Sequence, residues 1–451
     1  MRIRKVKWNN HPILRDLELN FINPKTGHVC SNVIIAGENG TGKTTILETL
    51  NTFLCAGSFL PFAFVEYEAK GRVYVALPTT SVNPIGAYYD RLDVEADNID
   101  TIASHRTFLF EQILKDDKDI RHYGCVFSRP RADYKTDTIK HTTTLDLDKD
   151  RYESDLTDNF TYLKQLLIDI QSQDYETYYS LNSENNVKGL PPVPFDQFYK
   201  QSKIYRFKNA FDNFFQNIRY DSVCNEGDSK TILFQKNNSK IPIDKLSTGE
   251  KQIVFRGAYL LKNLNQLMNA VVMVDEPELS MHPKWQSKVL DYYKQLFKDS
   301  SNNQSAQLFF TTHSPQVINS ALRDSVDTKV IVLDVDVDGV IIPASVKTPG
   351  VLSDNIVSEV SYQAFGIAST DYHNALYGYI EAEGLKQGFS NTYPLVPYNR
   401  LRNGSIHQEQ VSLSEKIRHI IHHPENGYNT YTEDDLKESI ERMRSYILNN
   451  I

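Results

Sequence analysis

Long apolar runs are absent from this 451-residue sequence. None of its runs approaches the ~20 apolar residues that a membrane-spanning helix needs, and the basic N-terminus lacks the apolar core of a signal peptide. The four cysteines, Cys30, Cys55, Cys125 and Cys224, show no paired spacing, so the sequence offers neither a zinc motif nor a disulfide framework. We therefore expect a cytoplasmic protein with no membrane partner.

An excess of basic charge is also lacking. The formal net charge is −8, which gives no support to general binding of nucleic acids. A local exception is the basic cluster of Arg2, Arg4, Lys5 and Lys7 in the first expected strand. Lysine and arginine commonly protect a solvated strand edge, yet the same cluster keeps DNA as a candidate partner.

The segment GENGTGKT at Gly37–Thr44 matches the phosphate-binding pattern Gly-x-x-x-x-Gly-Lys-Thr. The apolar run Val33–Ala36 before it predicts a buried strand, and Thr44–Leu50 after it has apolar residues at helical spacing. Glycines let the backbone turn tightly, so that its N–H groups face phosphate at a helix N-terminus. Lys43 is predicted to reach the β- and γ-phosphates, and Thr44 is predicted to ligate magnesium. The predicted cofactors are ATP and Mg2+, and the predicted nucleotide-binding residues are Gly37, Glu38, Asn39, Gly40, Thr41, Gly42, Lys43, Thr44 and Thr45.

Two carboxylates follow a second apolar strand, because the run Ala270–Val274 ends at Asp275 and Glu276. Asp275 suits a second magnesium contact and Glu276 suits polarisation of the attacking water, although paired carboxylates also cap helices. A third apolar strand, Gln307–Thr312, ends at His313. We predict that His313 senses the γ-phosphate, because the charge and tautomer of a histidine respond to small shifts. The predicted catalytic residues are therefore Glu276, His313 and Lys43.

The segment LSTGEKQ at Leu246–Gln252 precedes the acidic strand. Ser247 and Gly249 at the start of a predicted helix form an anion site. The chain already has an anion site in its Gly-rich loop, so the second would grip the γ-phosphate held by a partner subunit. This predicts a head-to-tail homodimer, or a higher homo-oligomer, with two ATP molecules between subunits; the other interpretation is an ordinary capped helix. The predicted in-trans residues are Ser247, Thr248, Gly249 and Glu250.

The order of these three segments resembles that of the ATPase heads of ABC, SMC and double-strand-break-repair proteins. More narrowly, DEPELSMHPKWQ at Asp275–Gln286 and FFTTHSPQVI at Phe309–Ile318 resemble the OLD-like bacterial ATPases of anti-phage systems such as Septu, PARIS, Gabija and retron-linked systems. The resemblance implies the same residue roles: Lys43 and Thr44 on phosphate and magnesium, Asp275 on magnesium, Glu276 as catalytic base, His313 as switch, and Ser247 and Gly249 in trans. The sequence departs from many transporters at Thr248, where they have Gly. No Gln stands in the usual Q-loop position, for which the turn Phe127–Arg131 is our candidate.

The expected fold class is α/β, with an ABC-type P-loop ATPase head, a mixed sheet with helices on both faces and a β-lobe. We place the first ATPase lobe at 1–58, the rest of the β-lobe and a helical insertion at 59–240, the second ATPase lobe at 241–345, and a small, mostly helical assembly region at 346–451. The insertion is too short for a long coiled coil. Within it we predict a strand at His141–Leu147, helices at Asn159–Ile170 and Phe195–Ile218, and a loop at Asn182–Asn186.

The C-terminal region is rich in histidine, with His407, His419, His422 and His423 close in sequence. Arg418 and His423 have the spacing of HEPN-type ribonuclease motifs, in which Arg and His share a helix, and Arg402 and His407 have the same spacing. Pro424 ends that helix at once, and a docking or structural role is the other interpretation. The amphipathic helix Leu436–Leu448 is predicted to present its apolar face to a neighbouring subunit.

These features favour an ATP-hydrolysing sensor and scaffold of a bacterial defence complex that works with a separately encoded effector, such as a nuclease. The pairs among Asp334, Asp336 and Asp338 suggest Toprim chemistry, but Gly339 and a following hairpin indicate a turn. Two alternatives stay open: an SMC-like ATPase for DNA repair or tethering, and an ATP-gated HEPN-like ribonuclease that uses the C-terminal Arg and His.

Overall fold

A computed structural model of the chain describes residues 1–56, 58–80, 87–103, 113, 115–130, 139–143, 152–154, 160–262, 267, 269–298, 303–324, 326–344, 350–352, 356–402, 404–425 and 427–450. Two compact units are present, 1–344 and 345–451. Among the described residues, no helix is both long enough and apolar enough to cross a membrane.

The described strands, in chain order, are β1 Arg2–Trp8, β2 Glu18–Asn20, β3 Asn32–Gly37, β4 Phe62–Ala69, β5 Arg72–Leu77, β6 Ala87–Asp93, β7 Asn98–Ala103, β8 Cys125–Ser128, β9 Tyr152–Ser154, β10 Ile218–Glu226, β11 Ser229–Lys236, β12 Ser239–Pro242, β13 Val271–Val274, β14 Gln307–Thr312, β15 Thr328–Val335, β16 Ile341–Ala344, β17 Leu395–Arg402 and β18 Ser405–Ser412. The described α-helices are α1 Lys43–Asn51, α2 Phe160–Val187, α3 Phe195–Tyr199, α4 Lys203–Phe214, α5 Thr248–Leu261, α6 Pro283–Gln286, α7 Val289–Leu296, α8 Pro315–Leu322, α9 Val357–Phe365, α10 Thr370–Ala382, α11 Lys386–Thr392, α12 Leu413–His422 and α13 Glu433–Asn450. Short turns of other helix types occupy Thr52–Ala56, Ile120–Tyr123 and Ile243–Lys245.

A seven-stranded sheet in the order β16-β15-β3-β14-β13-β8-β9 forms the centre of the first unit. Its neighbouring strands are parallel except for the antiparallel β15–β16 pair. Strands β3, β8, β13 and β14 are buried at every position, as expected for apolar strands of a parallel sheet that is covered on both faces. Since parallel strands end at the same edge, the segments after β3, β13 and β14 meet there. The predicted α/β class is confirmed.

A six-stranded antiparallel sheet in the order β2-β1-β4-β5-β6-β7 forms the β-lobe. Strand β1 pairs on both sides, with β2 and with β4, so the strand-edge interpretation of its basic cluster is wrong. Arg4 Nε lies 2.7 Å from Glu66 Oε1, and Lys7 Nζ lies 3.6 Å from Glu18 Oε2. Cross-strand carboxylates thus pair with Arg4, Lys5 and Lys7 of this cluster.

Gln307 joins the β-lobe to the central sheet. Its side-chain oxygen accepts from the Ile3 N–H at 2.7 Å, and its nitrogen donates to the carbonyls of Ile3 at 3.0 Å and Cys30 at 3.1 Å. The side chain is fully buried. A single amide therefore satisfies three backbone groups where the two sheets pack.

The insertion contains α2, which is one 28-residue helix. The loop predicted at Asn182–Asn186 is wrong, because no Gly or Pro interrupts the helix before Gly189. Asn182 instead binds the segment that follows the helix, since its side-chain oxygen accepts from the Val193 N–H at 2.7 Å. The helix predicted at Phe195–Ile218 is divided into α3 and α4, with strand β10 beginning at Ile218.

A second small sheet, β10-β11-β12, lies beside this insertion. The strand predicted at His141–Leu147 falls partly outside the described residues, and the part at 141–143 is not a strand.

The turn expected after β15 is present, because the Asp336 carboxylate accepts from the N–H groups of Asp338 and Val340 at 3.0 and 2.8 Å. This pairing of Asp336 within its own turn confirms the turn interpretation.

The C-terminal unit buries the apolar face of α13 within itself. The buried residues of α10, α12 and α13 form one cluster, which includes Tyr372, Leu376, Ile380, Ile417, Leu436, Ile440, Met443 and Ile447. The expectation that α13 presents this face to another subunit is therefore wrong. An amphipathic pattern reports that a face is buried, not which element covers it.

A hairpin of β17 and β18 interrupts the helices of this unit, with Arg402 paired to Ser405 beside the turn. Arg402 and His407 lie on its two strands, so their helical, HEPN-like interpretation is wrong. The sequence signal for this hairpin is Asn403-Gly404, a dipeptide that favours two-residue turns.

Replacing Gln307 by Met keeps the side-chain volume and removes all three of its hydrogen bonds. We expect Gln307→Met to lower the free energy of unfolding by about 3 kcal/mol, because buried backbone groups lose their partners. Urea denaturation followed by circular dichroism measures this. Gln197→Met at an exposed position of α3 is the matched control and should change stability little. Equal stabilities of the two variants would remove Gln307 from its proposed joining role.

Candidate nucleotide site

The Gly-rich loop leaves β3 at Gly37 and enters α1 at Lys43. Gly37 has φ +151°, and a Cβ there would lie 2.6 Å from the Leu333 carbonyl oxygen. Gly42 has φ +80°, and its Cβ would lie 2.6 Å from Leu14 Cδ2. Only glycine fits both positions. The first N–H groups of α1 have no partner within the helix and face the loop, which makes an anion site.

Lys43 lies inside this loop. Its ammonium donates to the carbonyl oxygens of Gly37 at 3.0 Å and Glu38 at 2.7 Å, and the side chain is buried. Burial lowers the pKa of Lys43, while the carboxylates of Glu276 and Asp275 act in the opposite direction. The loop thus holds a partly desolvated cation where the phosphate pattern requires one.

Thr44 and Asp275 meet directly, although they are far apart in sequence. Thr44 Oγ1 donates to Asp275 Oδ2 at 2.9 Å, and the hydroxyl of Thr311 at the end of β14 donates to the other oxygen of the same carboxylate. Hydroxyl and carboxylate oxygens are hard ligands, and magnesium is commonly held by one or two carboxylates together with phosphate. The residues present therefore fit a magnesium ion held with a nucleotide.

Glu276 and His313 form the other half of the site. His313 Nε2 lies 2.7 Å from Glu276 Oε1, and its Nδ1 lies 3.1 Å from the Gly37 carbonyl oxygen. Each ring nitrogen lies within hydrogen-bond distance of an oxygen atom, so the ring bridges Glu276 and Gly37. The hydrogen bond from His313 lowers the pKa of Glu276. The switch histidine thus links the acidic strand to the phosphate loop.

Glu276 occupies the left-handed region with φ +45°, which is uncommon for a residue other than glycine. Its N–H donates to Thr311 Oγ1 at 3.0 Å, and its carbonyl accepts from Arg256 Nη1 at 2.9 Å. Both flanking peptide groups are therefore anchored. This conformation turns the Glu276 side chain toward His313, while Asp275 turns toward Thr44.

Arg256 is a functional candidate that the sequence reasoning missed. It lies on α5, is buried, and donates to the carbonyls of Asp275 and Ser128 at 2.6 and 2.9 Å. It thereby ties the helix after Ser247 to the ends of β13 and β8. A charged residue after the apolar run Ile253–Phe255 was the available signal.

Thr311, Thr312 and Glu278 were missed as well. The two threonines immediately precede His313, and Glu278 lies three residues after Asp275. The signal for all of them is position, because they lie at or near the carboxyl ends of neighbouring parallel strands. The turn proposed in place of the Q-loop leaves β8, which pairs with β13; Arg131 falls outside the described residues.

The predicted in-trans loop begins α5. Ser247 caps the helix by accepting from the Glu250 N–H at 3.4 Å, and the Glu250 carboxylate accepts from the Ser247 N–H at 2.8 Å. Glu250 also pairs with Lys236 Nζ at 2.7 Å, so its carboxylate is engaged within its own chain. Ser247 and Thr248 are exposed, whereas a Cβ at Gly249 would lie 2.8 Å from the Ser280 carbonyl oxygen. The helix is therefore capped and its first residues are also open to a ligand.

The C-terminal candidates have other partners. Arg418 pairs with Glu381 at 3.0 Å, and His423 pairs with Glu425 at 3.1 Å. His422 is exposed, and His419 Nε2 lies 3.0 Å from Arg400 Nη2. Within the described ranges, no group of three or more His, Cys, Asp or Glu side chains is placed to hold a metal ion.

Comparison with known proteins gives a family match over residues 33–319, to the family described as "AAA domain, putative AbiEii toxin, Type IV TA system". The Septu protein PtuA of Bacillus thuringiensis is 23% identical over 363 residues, which cover 74% of this chain and 76% of that protein. The OLD nuclease of Thermus scotoductus is 21% identical over 339 residues, or 69% of this chain and 59% of that protein. The solved SMC head domain from Thermotoga maritima has 14% identity and a TM-score of 0.38, covering 77% of this chain and 100% of that one. The resemblance to defence-associated ATPases of this type is confirmed.

Replacing Arg256 by Lys tests its anchoring role. We expect Arg256→Lys to lower the free energy of unfolding by about 3 kcal/mol, because one ammonium cannot reproduce the fork that reaches both strand ends. Denaturant titration measures the loss. Arg323→Lys at the exposed end of α8 is the control and should leave stability nearly unchanged. The anchoring role is wrong if both variants unfold at the same denaturant concentration.

Proposed function

The chain belongs to this AAA-domain family, and we propose from that premise that it binds and hydrolyses ATP as the sensor and scaffold subunit of a bacterial anti-phage defence complex. Two copies close head to tail around two ATP molecules and magnesium, and the closed pair controls a separately encoded effector, a nuclease. The observation that carries the proposal is the meeting of Thr44 with Asp275, beside the contact of Glu276 with His313.

The nucleotide-binding groups are already gathered. Lys43 exchanges its contacts with the carbonyls of Gly37 and Glu38 for phosphate oxygens, and the N-terminus of α1 adds backbone donors. Thr44 and Asp275 would hold the magnesium ion, which would stabilise the negative charge on the phosphate oxygens. Gly37 has no side chain, so its backbone can approach the phosphates. Any Cβ at this position would clash with neighbouring atoms.

Glu276 orients the attacking water and accepts its proton. Its lowered pKa keeps the carboxylate ionised at neutral pH, so it is a ready acceptor but a weak base. Its main contribution is therefore to orient and polarise the water. His313 holds the Glu276 carboxylate through Nε2 and the phosphate loop through Nδ1, so a change at the phosphates reaches Glu276 through one ring.

The second subunit is proposed to contribute Ser247 and its neighbours. Ser247 and Thr248 are exposed at the start of the 14-residue helix α5, whose N-terminus favours an anion. The chain's own phosphate loop already supplies Lys43 and the start of α1. These donors suit a phosphate of the ATP molecule that the other subunit binds.

The defence role is supported by the likeness to the Septu protein PtuA over most of both chains. We propose a cytoplasmic location, which agrees with the free thiols of the four cysteines. The first alternative, a DNA-tethering ATPase, loses support because the carboxylates of Glu66 and Glu18 neutralise the basic strand β1. The ribonuclease alternative loses support because Arg418 and His423 pair with Glu381 and Glu425.

Glu276→Gln tests the hydrolytic role. The variant should keep ATP binding, because the phosphate contacts remain, while kcat falls about 100-fold or more, because the water loses its proton acceptor. The closed dimer should live longer, which light scattering with ATP measures. Lys43→Ala should instead abolish binding, and Glu184→Gln on the exposed part of α2 is the control. Turnover of Glu276→Gln at the wild-type rate would show that this carboxylate has another role.

Ser247→Arg tests the in-trans contact. Its bulk should block closure, while nucleotide binding by the single subunit stays nearly intact, as fluorescence titration with an ATP analogue would show. Mixing Ser247→Arg with Lys43→Ala should restore ATP hydrolysis at one composite site of the mixed dimer. Ser239→Arg at an exposed position of β12 controls for added charge. A mixture as inactive as each variant, with subunit exchange demonstrated, argues against the head-to-tail pair.

A further inference from the structure

Glu278 is a buried carboxyl group beside the switch histidine. It follows the acidic strand and is only 7% exposed. Its Oε1 accepts from Thr312 Oγ1 at 2.5 Å and from the His313 N–H at 2.9 Å. The first donor is the last residue of β14, and the second is the residue that follows it. The carboxyl group thus holds the backbone of the residue whose side chain joins the two halves of the site.

The other oxygen of Glu278 has no hydrogen-bond partner among the described residues. Oε2 is buried without a hydrogen bond, and none of the described ion pairs includes Glu278. An ionised carboxylate that is buried without a paired cation costs far more than the neutral acid at the same position. Burial accordingly raises the pKa of Glu278. Burial and the unpartnered Oε2 favour the neutral carboxylic acid at this position, against the effect of the two hydrogen bonds to Oε1.

The turn held by Glu278 sets where the His313 ring can lie. Thr312 Oγ1 donates to Glu278 and also accepts from the Ser314 N–H at 3.0 Å, so the backbone is held on both sides of His313. The ring then spans the distance between Glu276 and the Gly37 carbonyl. A shift of this backbone would break one of the two ring contacts.

The segment after Glu278 also touches the helix that begins at Ser247. Gln252 Nε2 of α5 donates to the Leu279 carbonyl at 3.4 Å. Gly249 lies so close to Ser280 that an added Cβ would be 2.8 Å from its carbonyl oxygen. Residues 278–280 therefore contact the switch turn at one end and α5 at the other.

We propose that Glu278 is a positioning residue that, as a neutral carboxylic acid, fixes the backbone of His313 and connects the switch histidine to the helix of the in-trans loop. This inference rests on the proposed ATPase function for its kinetic consequence. Its structural part, the placement of the His313 ring by Glu278, does not depend on hydrolysis.

Two substitutions at Glu278 separate the effect of its hydrogen-bond acceptors from the effect of its charge. Glu278→Leu removes both acceptors, and kcat for ATP should fall about 100-fold, because a small misplacement of a reacting group has effects of that size. The KM for ATP should change less than about threefold, since the phosphate contacts are untouched. Glu278→Gln keeps the Oε1 acceptor without any charge and should restore most of the lost turnover. Glu184→Leu on the exposed part of α2 is the matched control.

The outcomes are decisive in each direction. Wild-type kcat in a folded Glu278→Leu overturns the positioning role. A folded Glu278→Gln as slow as Glu278→Leu overturns the neutral acid and assigns the function to a carboxylate. If Glu278→Leu does not fold, Thr312→Val takes its place, because it deletes one of the two donors to Glu278; an unchanged kcat in that variant overturns the proposal.

A measurement without nucleotide distinguishes this inference from the proposed function. The Cε1–H signal of His313 in histidine-labelled protein, assigned with His313→Asn, reports the surroundings of the ring. It should move in Glu278→Leu and stay near its wild-type position in Glu278→Gln. If the signal behaves so but the wild-type protein does not hydrolyse ATP, the proposed function fails while the positioning role stands. An unmoved signal in Glu278→Leu overturns the positioning role even if ATP is hydrolysed.

Discussion

The parallel pairing of β3 with β14 and of β14 with β13 is the constraint on which the rest of the site depends. Because parallel strands end at one edge, this pairing places the phosphate loop, the switch histidine and the acidic pair side by side. The strands are buried on both faces, so their register is set by packing. A change in that register would separate Thr44 from Asp275 and His313 from Glu276.

The charged groups at this edge of the sheet have partners of different kinds. Asp275 and Glu276 each have specific donors, in Thr44 and Thr311 for the first and His313 for the second. Lys43 is held by carbonyls, and the carboxylates raise its pKa against the effect of burial. The carboxylates of Asp275 and Glu276 would repel phosphate oxygens if no cation lay between them. The local electrostatics therefore agree with a nucleotide that is bound together with magnesium.

Buried polar side chains connect the elements that carry these groups. Arg256 fastens the helix after the in-trans loop to the ends of two strands, and Glu278 fastens the acidic segment to the switch turn. Such contacts connect α5 and the end of β14 to the segment that carries Asp275 and Glu276. The C-terminal unit is organised differently, since its helices close around their own apolar core.

The sequence by itself determined the local chemistry of the site. The phosphate loop, Asp275 with Glu276, and His313 each follow an apolar strand, and parallel pairing places the ends of such strands at one edge of the sheet. Tertiary structure decided what local pattern leaves open. The place of β1 within its sheet, the cover over α13 and the roles of Arg256 and Glu278 all depend on contacts between residues distant in sequence. Periodicity shows that a side chain is buried, but its partner is chosen only when the chain is packed.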